Sequence, residues 1–166
     1  TAYTVQRAGV FRLELTVPQG YEVRRVQGRK LSGAEAVEVD GYHLEGPDKT
    51  RLVVNLARKA SGKVGLLVEL DRPLDEPGLL APTGRSVRIP LAMPRAAADS
   101  VDRATGRLLI RAPESLRINP AKVEALHEIT FREALEPIPA LNAGRPDDVR
   151  PVLAFAMAEQ PGSLEL

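Results

Sequence analysis

The sequence predicts a mainly β protein: an antiparallel β-sandwich, built as one large or two related small units, with one short helix. Three observations support this prediction. Apolar and polar residues alternate in about ten short runs, as on strands with one buried face. Gly, Pro and Asp-Gly turn signals separate the runs at the spacing typical of a sandwich or barrel. A strand–corner–strand unit also occurs twice.

The repeated unit covers Arg12–Val23 (RLELTVPQGYEV) and Arg107–Ile118 (RLLIRAPESLRI), which align without a gap. In each copy an alternating run ends at a proline, Pro18 or Pro113, which cannot donate a ladder hydrogen bond. In the first copy Gly20 follows and tolerates a left-handed backbone. Duplication and convergence both explain the match. We expect either equivalent strands in two sandwich units or two strands paired within one sheet.

Two β-hairpins are predicted between the copies. The first turns at Asp40-Gly41, because both residues accept a positive φ. This register pairs Val39 with Tyr42 on the apolar face. It places His43 opposite Glu38 on the other face.

The second hairpin is predicted from the clearest alternation in the chain. Leu52–Leu56 and Val64–Leu70 each carry an apolar residue at every second position. A turn through Ser61-Gly62, within Arg58–Lys63, separates the two runs. Val53 is apolar on the opposite face, so we expect a neighbouring unit or a loop to cover part of that face.

A Pro-rich connection divides the chain. We predict a first β unit over residues 1–72, a connection over 73–100, and a second β unit over 101–166 that packs with the first. One short strand is expected in the connection, at Ser86–Leu91. Another, at Val101–Ala104, leads into the second copy of the repeat.

The second unit contains the predicted helix. Asn119-Pro120 is a good helix start, since Asn caps free N–H groups and Pro suits the first helical position; the helix runs through Leu126. Ile129–Ala134 fits either a strand or a prolonged helix. Val152–Met157 is a predicted strand that is apolar on both faces, and Ser163–Leu166 starts another.

Composition excludes several classes of function. The formal net charge is +1, which argues against a nucleic-acid-binding surface. The absence of cysteine excludes disulfides and thiolate chemistry. The longest apolar run, Val152–Ala158, is far shorter than the roughly 20 residues that cross a bilayer, so no direct membrane insertion is expected.

No catalytic, metal-binding or cofactor-binding residue is predicted. His43 and His127 lie on different predicted elements; we interpret the first as a surface residue facing Glu38 and the second as a helix-end residue. An acidic cluster and a basic cluster are each interpreted as solvated surface, and only tyrosines are available to stack on a sugar. These sets are Asp71, Asp75 and Glu76; Arg24, Arg25, Arg29 and Lys30; and Tyr3, Tyr21 and Tyr42, of which Tyr21 and Tyr42 fall on predicted core faces.

Several segments resemble parts of large uncharacterised bacterial cell-envelope proteins, in which strand–Val-Pro-x-Gly–strand units recur along successive β-sandwich domains. The resemblance implies an architecture and an extracytoplasmic location, in the periplasm or at the cell surface. It carries over no catalytic or binding residue. The segments are Arg7–Leu15, Val17–Val23, Leu52–Leu56, Gly62–Leu70 and Ala112–Leu116.

We therefore expect a non-catalytic module of a longer protein, acting as a structural spacer or protein-interaction domain. Its partners would be another protein or neighbouring domains of the same chain, and exposed sheet edges could mediate self-association. The alternative is a carbohydrate- or ligand-binding module attached to a catalytic domain elsewhere in the parent protein.

Overall fold

The computed structural model describes residues 2–74, 90–91, 95–96, 104–136, 149–158 and 163–166. Within this part of the chain the protein is mainly β, with antiparallel sheets and one short helix, as the sequence predicts. The strands are β1 Ala2–Thr16, β2 Glu22–Arg29, β3 Val39–Glu45, β4 Arg51–Asp71, β5 Pro90–Leu91, β6 Arg95–Ala96, β7 Thr105–Pro113, β8 Lys122–Glu124, β9 His127–Glu128, β10 Val149–Ala158 and β11 Ser163–Glu165, and the helix is α1 Phe131–Leu135.

The chain divides into two compact units. The first contains β1 to β4 together with β6, and the second contains β5, β7 to β11 and α1. Of the predicted strand at Ser86–Leu91 only Pro90–Leu91 lies within the described residues, where it forms β5; most of the predicted strand at Val101–Ala104 lies outside them.

The first unit is organised around β4, which has 21 residues. β1 pairs antiparallel with it from Ala2↔Gly65 to Thr16↔Arg51. Along the opposite edge of β4, β3 pairs with the first part of the strand and β2 with the last part. A single long strand therefore holds three partners.

The predicted turn at Ser61-Gly62 is wrong, because β4 continues through it. The positive φ of Gly62 (71°) and two register shifts against β1 indicate an irregular stretch instead of a reversal. Pairing with β1 explains why the chain does not reverse here. β1 pairs with β4 on both sides of the irregular stretch, so it supplies the backbone hydrogen bonds that the two arms of a hairpin would have made with each other.

The predicted hairpin at Asp40-Gly41 is also wrong, because both residues lie inside β3. The register against β4 shifts between Val39↔Leu56 and Gly41↔Asn55, so one extra residue is inserted in β3. Such a bulge moves the inward face from odd to even positions. Val39 and Leu44 consequently both pack against the same core.

The core of the first unit collects the alternating residues of β1 and β4, as the sequence predicts. Apart from Val53, its fully buried side chains come from β4 and from Val17 just after β1, and they contribute to one cluster. The buried members are Leu13, Leu15, Val17, Val26, Leu52, Val54, Leu56, Ala60, Val64 and Leu66.

The second unit contains two three-stranded antiparallel sheets, ordered β7-β10-β9 and β5-β11-β8. The predicted strand at Val152–Met157 is confirmed as part of β10, and the one predicted to start at Ser163 is confirmed as β11, which ends at Glu165. Ile110, Phe155 and Leu164 are buried in its separate core.

The predicted helix at Asn119–Leu126 is wrong. Residues 119–121 are not helical, Lys122–Glu124 forms β8, and Ala125 has a left-handed φ of 52°. The helix begins later, at Phe131, where Thr130 and Glu133 form a reciprocal capping box. That pair satisfies N–H groups at the helix start, which Asn119 does not do.

The two copies of the repeat lie in different units and do not pair within one sheet. Each corner contains the equivalent hydrogen bond within itself. Tyr21 N–H donates to Pro18 O (3.3 Å) in the first copy, and Leu116 N–H donates to Pro113 O (3.0 Å) in the second. After the corner the copies differ, because a strand follows Pro18 but residues 116–120 have no regular structure. The structural equivalence therefore covers one strand and its corner.

Candidate functional site

The first unit has an open cleft of about 690 Å³ beside β3. The corner between β1 and β2, Pro18–Val23, lines one part of it. Tyr42–Leu44 of β3 and Asp48-Lys49 of the following turn line the rest. This volume lies within the range of about 300–1,000 Å³ that is usual for binding sites.

The corner is fixed by its own sequence and by β4. Val17 N–H donates to Thr50 O at 2.6 Å, which ties the end of β1 to the start of β4. Pro18 O accepts from Tyr21 N–H, and Gly20 has a φ of 82° at the third position of this turn. A positive φ at that position favours Gly because it has no Cβ. The cleft wall is therefore a defined β-turn.

The turn after β3 contributes two charged residues, Asp48 and Lys49, to the lining of the cleft. Lys49 N–H donates to Gly46 O at 3.2 Å, and both residues have positive φ values, 50° for Lys49 and 88° for Gly46. Asp48 and Lys49 are exposed and both line the cleft. The cleft therefore has charges of both signs.

The pairing between β3 and β4 determines which backbone groups of β3 form hydrogen bonds to β4 and which point away from it. Thr50 O accepts from Val17, so even-numbered residues at the start of β4 direct their backbone groups toward β1. Odd-numbered residues direct theirs toward β3, and Ala57 N–H accordingly donates to Glu38 O at 3.0 Å. This alternation is the normal pattern of antiparallel ladders.

In this register His43 lies opposite Val53 and exchanges backbone hydrogen bonds with β4. Tyr42 and Leu44, its neighbours, direct their N–H and C=O groups away from β4. Both line the cleft. No strand among the described residues pairs with this second edge of β3. The cleft thus runs along an edge with backbone donors and acceptors available.

Two tyrosines contribute aromatic surface to the cleft. Tyr42 is 41% exposed, so its prediction as a core residue is wrong. Tyr21 is partly buried against the core, and the Arg72 guanidinium lies 5.7 Å from its ring centroid. Tyr3 is not a lining residue; its hydroxyl donates to Glu14 O at 3.1 Å, and burial raises the pKa of Tyr3.

A charged cluster covers the outer face of the sheet next to the cleft. Arg12 Nε lies 2.9 Å from Glu14 Oε1, and Arg12 Nη2 lies 3.2 Å from Glu45 Oε2. Arg51 also pairs with Glu14, and His43 Nε2 lies 2.9 Å from Glu45 Oε1.

We call Arg12, Glu14, His43, Glu45 and Arg51 the charged cluster. Val53, opposite Glu14 and His43 in the two ladders, is fully buried although its side chain is not part of the core cluster. The hydrogen bond from His43, and then the charge of Arg12, lower the pKa of the Glu45 carboxyl. The cluster is therefore a mutually compensated surface network.

The two histidines lie in different units and have different surroundings. His43 contacts Glu45 and not Glu38, because the predicted hairpin is absent; Glu38 lies 3.7 Å from Arg58 instead. His127 lies in β9 and not at a helix end. The two histidines belong to different units.

Some members of the predicted acidic and basic surface clusters each pair with a single oppositely charged residue. Arg24 pairs with Asp71 at 2.6 Å, and Lys30 lies 3.9 Å from Glu35. Asp75 and Glu76 lie outside the described residues. Within the described ranges, no group of three His, Asp or Glu side chains is placed to hold a metal ion.

Sequence reasoning missed the charged cluster and the polar cleft residues Asp48 and Lys49. The signal for the cluster was present: Arg12, Glu14 and Arg51 occupy the polar positions of alternating strands. Their partners could not be identified, because Glu45 joins them only after the bulge in β3 sets its register.

No protein-family model, no curated protein and no solved structure matches the chain. The part of the chain that the structure describes contains no helix with the length and hydrophobicity needed to span a membrane.

Proposed function

We propose that this chain is a non-catalytic β-sandwich module of a larger bacterial envelope protein, acting as a structural spacer or protein-interaction domain. The observation that carries the proposal is an available strand edge beside an open cleft. Unpaired strand edges are recurrent sites of protein association. The envelope location follows from the resemblance of the strand–Val-Pro-x-Gly–strand segments.

The charged side chains near the cleft support recognition rather than reaction chemistry. Glu14 and Glu45 are held by arginines, and His43 is engaged with Glu45. General acid–base catalysis works best with a group whose pKa lies near the working pH. The pKa of Glu45 is instead shifted downward, which keeps this carboxylate ionised.

A substrate screen tests the non-catalytic part of the proposal. The purified chain is incubated with panels of chromogenic glycosides, esters and peptides, and no turnover above buffer is expected. The contradicting outcome is hydrolysis that co-purifies with the chain and is lost in His43→Ala or Glu45→Gln. The matched control is His127→Ala, since His127 lies in the other unit.

The interaction part of the proposal covers a separate protein, neighbouring domains of the same parent chain, and edge-mediated self-association. Sedimentation at increasing concentration separates the last of these from the others. A chain that is monomeric at all concentrations excludes self-association, so that a separate protein or a neighbouring domain remains as the partner. A dimer that forms with increasing concentration, and is lost when the edge of β3 is changed by Tyr42→Pro, identifies self-association.

The second candidate is a carbohydrate- or ligand-binding module attached to a catalytic domain of the parent protein. The observation that favours it is the exposed ring of Tyr42 in the cleft. A glycan array tests it, with Tyr42→Ala expected to remove binding. Tyr3→Phe is the control, because Tyr3 does not line the cleft. A blank array with the wild-type chain would contradict this candidate.

A further inference from the structure

The edge of β3 provides a repeating set of hydrogen-bonding groups. Tyr42 and Leu44 are two residues apart, and their outward N–H and C=O groups form the spacing that an added strand uses. Exposed backbone groups of this kind are normally paired, covered or protected by charge. Beyond the bulge no described strand covers them.

The same cleft is lined by the corner after β1. Its residues Pro18–Val23 are held by the corner hydrogen bonds, so an open cleft with a defined backbone on one part of its lining lies beside β3. β2 starts in that corner, at Glu22, and pairs with β4 but not with β3. The edge of β3 and the corner therefore line the same cleft.

The side chains along the edge specify an alternating occupant. Leu44 packs against the core, whereas His43 points to the outer face and contacts Glu45. A strand added beside them would place its residues alternately next to Leu44 and next to the charged cluster. An occupant with alternating apolar and polar residues therefore fits both faces.

We propose that the cleft beside β3 binds an extended peptide segment of a partner protein, which adds to the sheet as a strand through the backbone of Tyr42 and Leu44. This inference rests on the proposed protein-interaction function and specifies its site. The segment carries alternating apolar and polar side chains. Main-chain hydrogen bonds supply affinity and the apolar positions supply selectivity.

The aromatic surface favours a peptide over a saccharide. A sugar ring is bound chiefly through exposed aromatic faces. Among the described residues that line the cleft, Tyr42 is the one exposed tyrosine, since Tyr21 is partly buried and already contacts Arg72. The backbone groups of Tyr42 and Leu44, by contrast, match the donors and acceptors of another strand.

Two substitutions at one position separate backbone recognition from ring recognition. Tyr42→Pro removes the outward N–H but leaves the bonds between β3 and β4, because that N–H does not face β4. Tyr42→Ala removes the ring and keeps the N–H. Backbone recognition predicts a larger loss for proline than for alanine, whereas ring recognition predicts equal losses.

The probe is a displayed library of random twelve-residue peptides, selected on the full chain and then synthesised individually. We expect binders with alternating apolar positions, weakened about tenfold by Tyr42→Pro, as for loss of one backbone hydrogen bond. Tyr42→Ala should weaken them less. Hydrogen exchange should slow at the Tyr42 and Leu44 amides when peptide is bound.

N-methylated peptides keep the test valid if Tyr42→Pro does not fold. Methylation of alternate peptide amides blocks strand pairing on one edge only, so one methylated register should lose binding to the wild-type chain and the other should keep it. The proposal is overturned if both registers bind equally, or if no peptide is selected from the library; glycan binding that is lost in Tyr42→Ala would then identify a saccharide as the occupant. Failure of the peptide probe leaves the spacer role standing, whereas turnover in the substrate screen would remove the non-catalytic function itself.

Discussion

Gly28 and Gly65 of the first unit allow backbone segments to approach more closely than a side chain would permit. A Cβ atom added to Gly28 would lie 1.6 Å from Val37 O, and one added to Gly65 would lie 2.6 Å from Arg29 O. Both clashes are with backbone atoms, which cannot rotate away as a side chain would. These contacts position the segment between β2 and β3, and therefore the start of β3, against the sheet.

Gly28→Ala is expected to destabilise the chain by at least about 2 kcal/mol, because Val37 must shift away from β2. Gly41→Ala is the matched control: Gly41 also lies in a strand, but an added Cβ meets nothing within 4 Å. Urea unfolding followed by circular dichroism measures both. Equal stabilities for the two variants would contradict the close approach at Gly28.

The charged cluster predicts a specific pH dependence. The pKa of Glu45 is lowered from its ordinary value of 4.5 in the folded chain, first by the hydrogen bond from His43 and then by the Arg12 charge. A depressed folded pKa contributes stability above the unfolded value, and that contribution is lost as the pH falls through the folded value. Glu45→Gln should therefore lower the unfolding midpoint at neutral pH and converge with the wild type in acid.

Midpoints of urea unfolding for both chains, measured between about pH 7 and pH 3, test this convergence. Glu35→Gln is the control, because the side chain of Glu35 is 93% exposed and its Oε1 lies as far as 3.9 Å from Lys30 Nζ. A difference for Glu45→Gln that persists unchanged at the acidic end would show that the carboxylate charge is not its source.

At the scale of elements, alternation predicted inward faces correctly but not chain reversals. A two-residue hairpin at Asp40-Gly41 and a bulge at the same place both move the apolar face from odd to even residues. The sequence pattern Val37, Val39, Tyr42, Leu44 fits either. Pairing with β4 decides for the bulge, because Val39 lies opposite Leu56 and Gly41 lies opposite Asn55 on the same neighbouring strand.

The capping box of α1 predicts a local contribution to stability in the second unit. Thr130 Oγ1 accepts from Glu133 N–H at 3.2 Å, and Glu133 Oε2 accepts from Thr130 N–H at 2.8 Å. The hydrogen bonds that Thr130 donates to the Glu133 carboxylate, first from its backbone N–H and then from its hydroxyl, lower the pKa of Glu133. Thr130→Ala should cost about 1 kcal/mol of the free energy of unfolding, the usual effect of losing an N-cap.

Ser115→Ala is the control for Thr130→Ala, since Ser115 is an exposed turn residue in the same unit. Thermal unfolding of both variants gives the comparison. We expect Ser115→Ala to unfold at the temperature of the wild type. If Thr130→Ala also unfolds at that temperature, the capping box does not stabilise α1.

At the scale of the whole molecule, each unit has its own hydrophobic core. The cluster around Leu52 and Leu66 draws only on the first unit, and the cluster around Ile110 and Phe155 draws only on the second. The first core is made mostly of long antiparallel strands, whereas the second uses shorter strands around β7 and β10. Separate cores predict separate responses to cavity-forming substitutions.

Leu52→Ala and Phe155→Ala test this separation. Each removes a buried side chain, at a cost of about 2–5 kcal/mol for such substitutions. Hydrogen exchange should accelerate in β1 to β4 for the first variant and in β7 and β10 for the second. Acceleration spread equally over both units by either variant would show that the two cores unfold as one.

The sequence by itself determined the β class, the inward faces of β1 and β4, the corner at Pro18–Gly20 and the strands at β10 and β11. Each of these depends on local chemistry: side-chain alternation, the missing N–H of proline and the freedom of glycine at positive φ. The tertiary structure alone decided the unbroken course of β4, the bulge in β3, the position of α1 and the cleft. Those features depend on which strand supplies hydrogen bonds to which, and the partners of β4 come from three separate stretches of the chain.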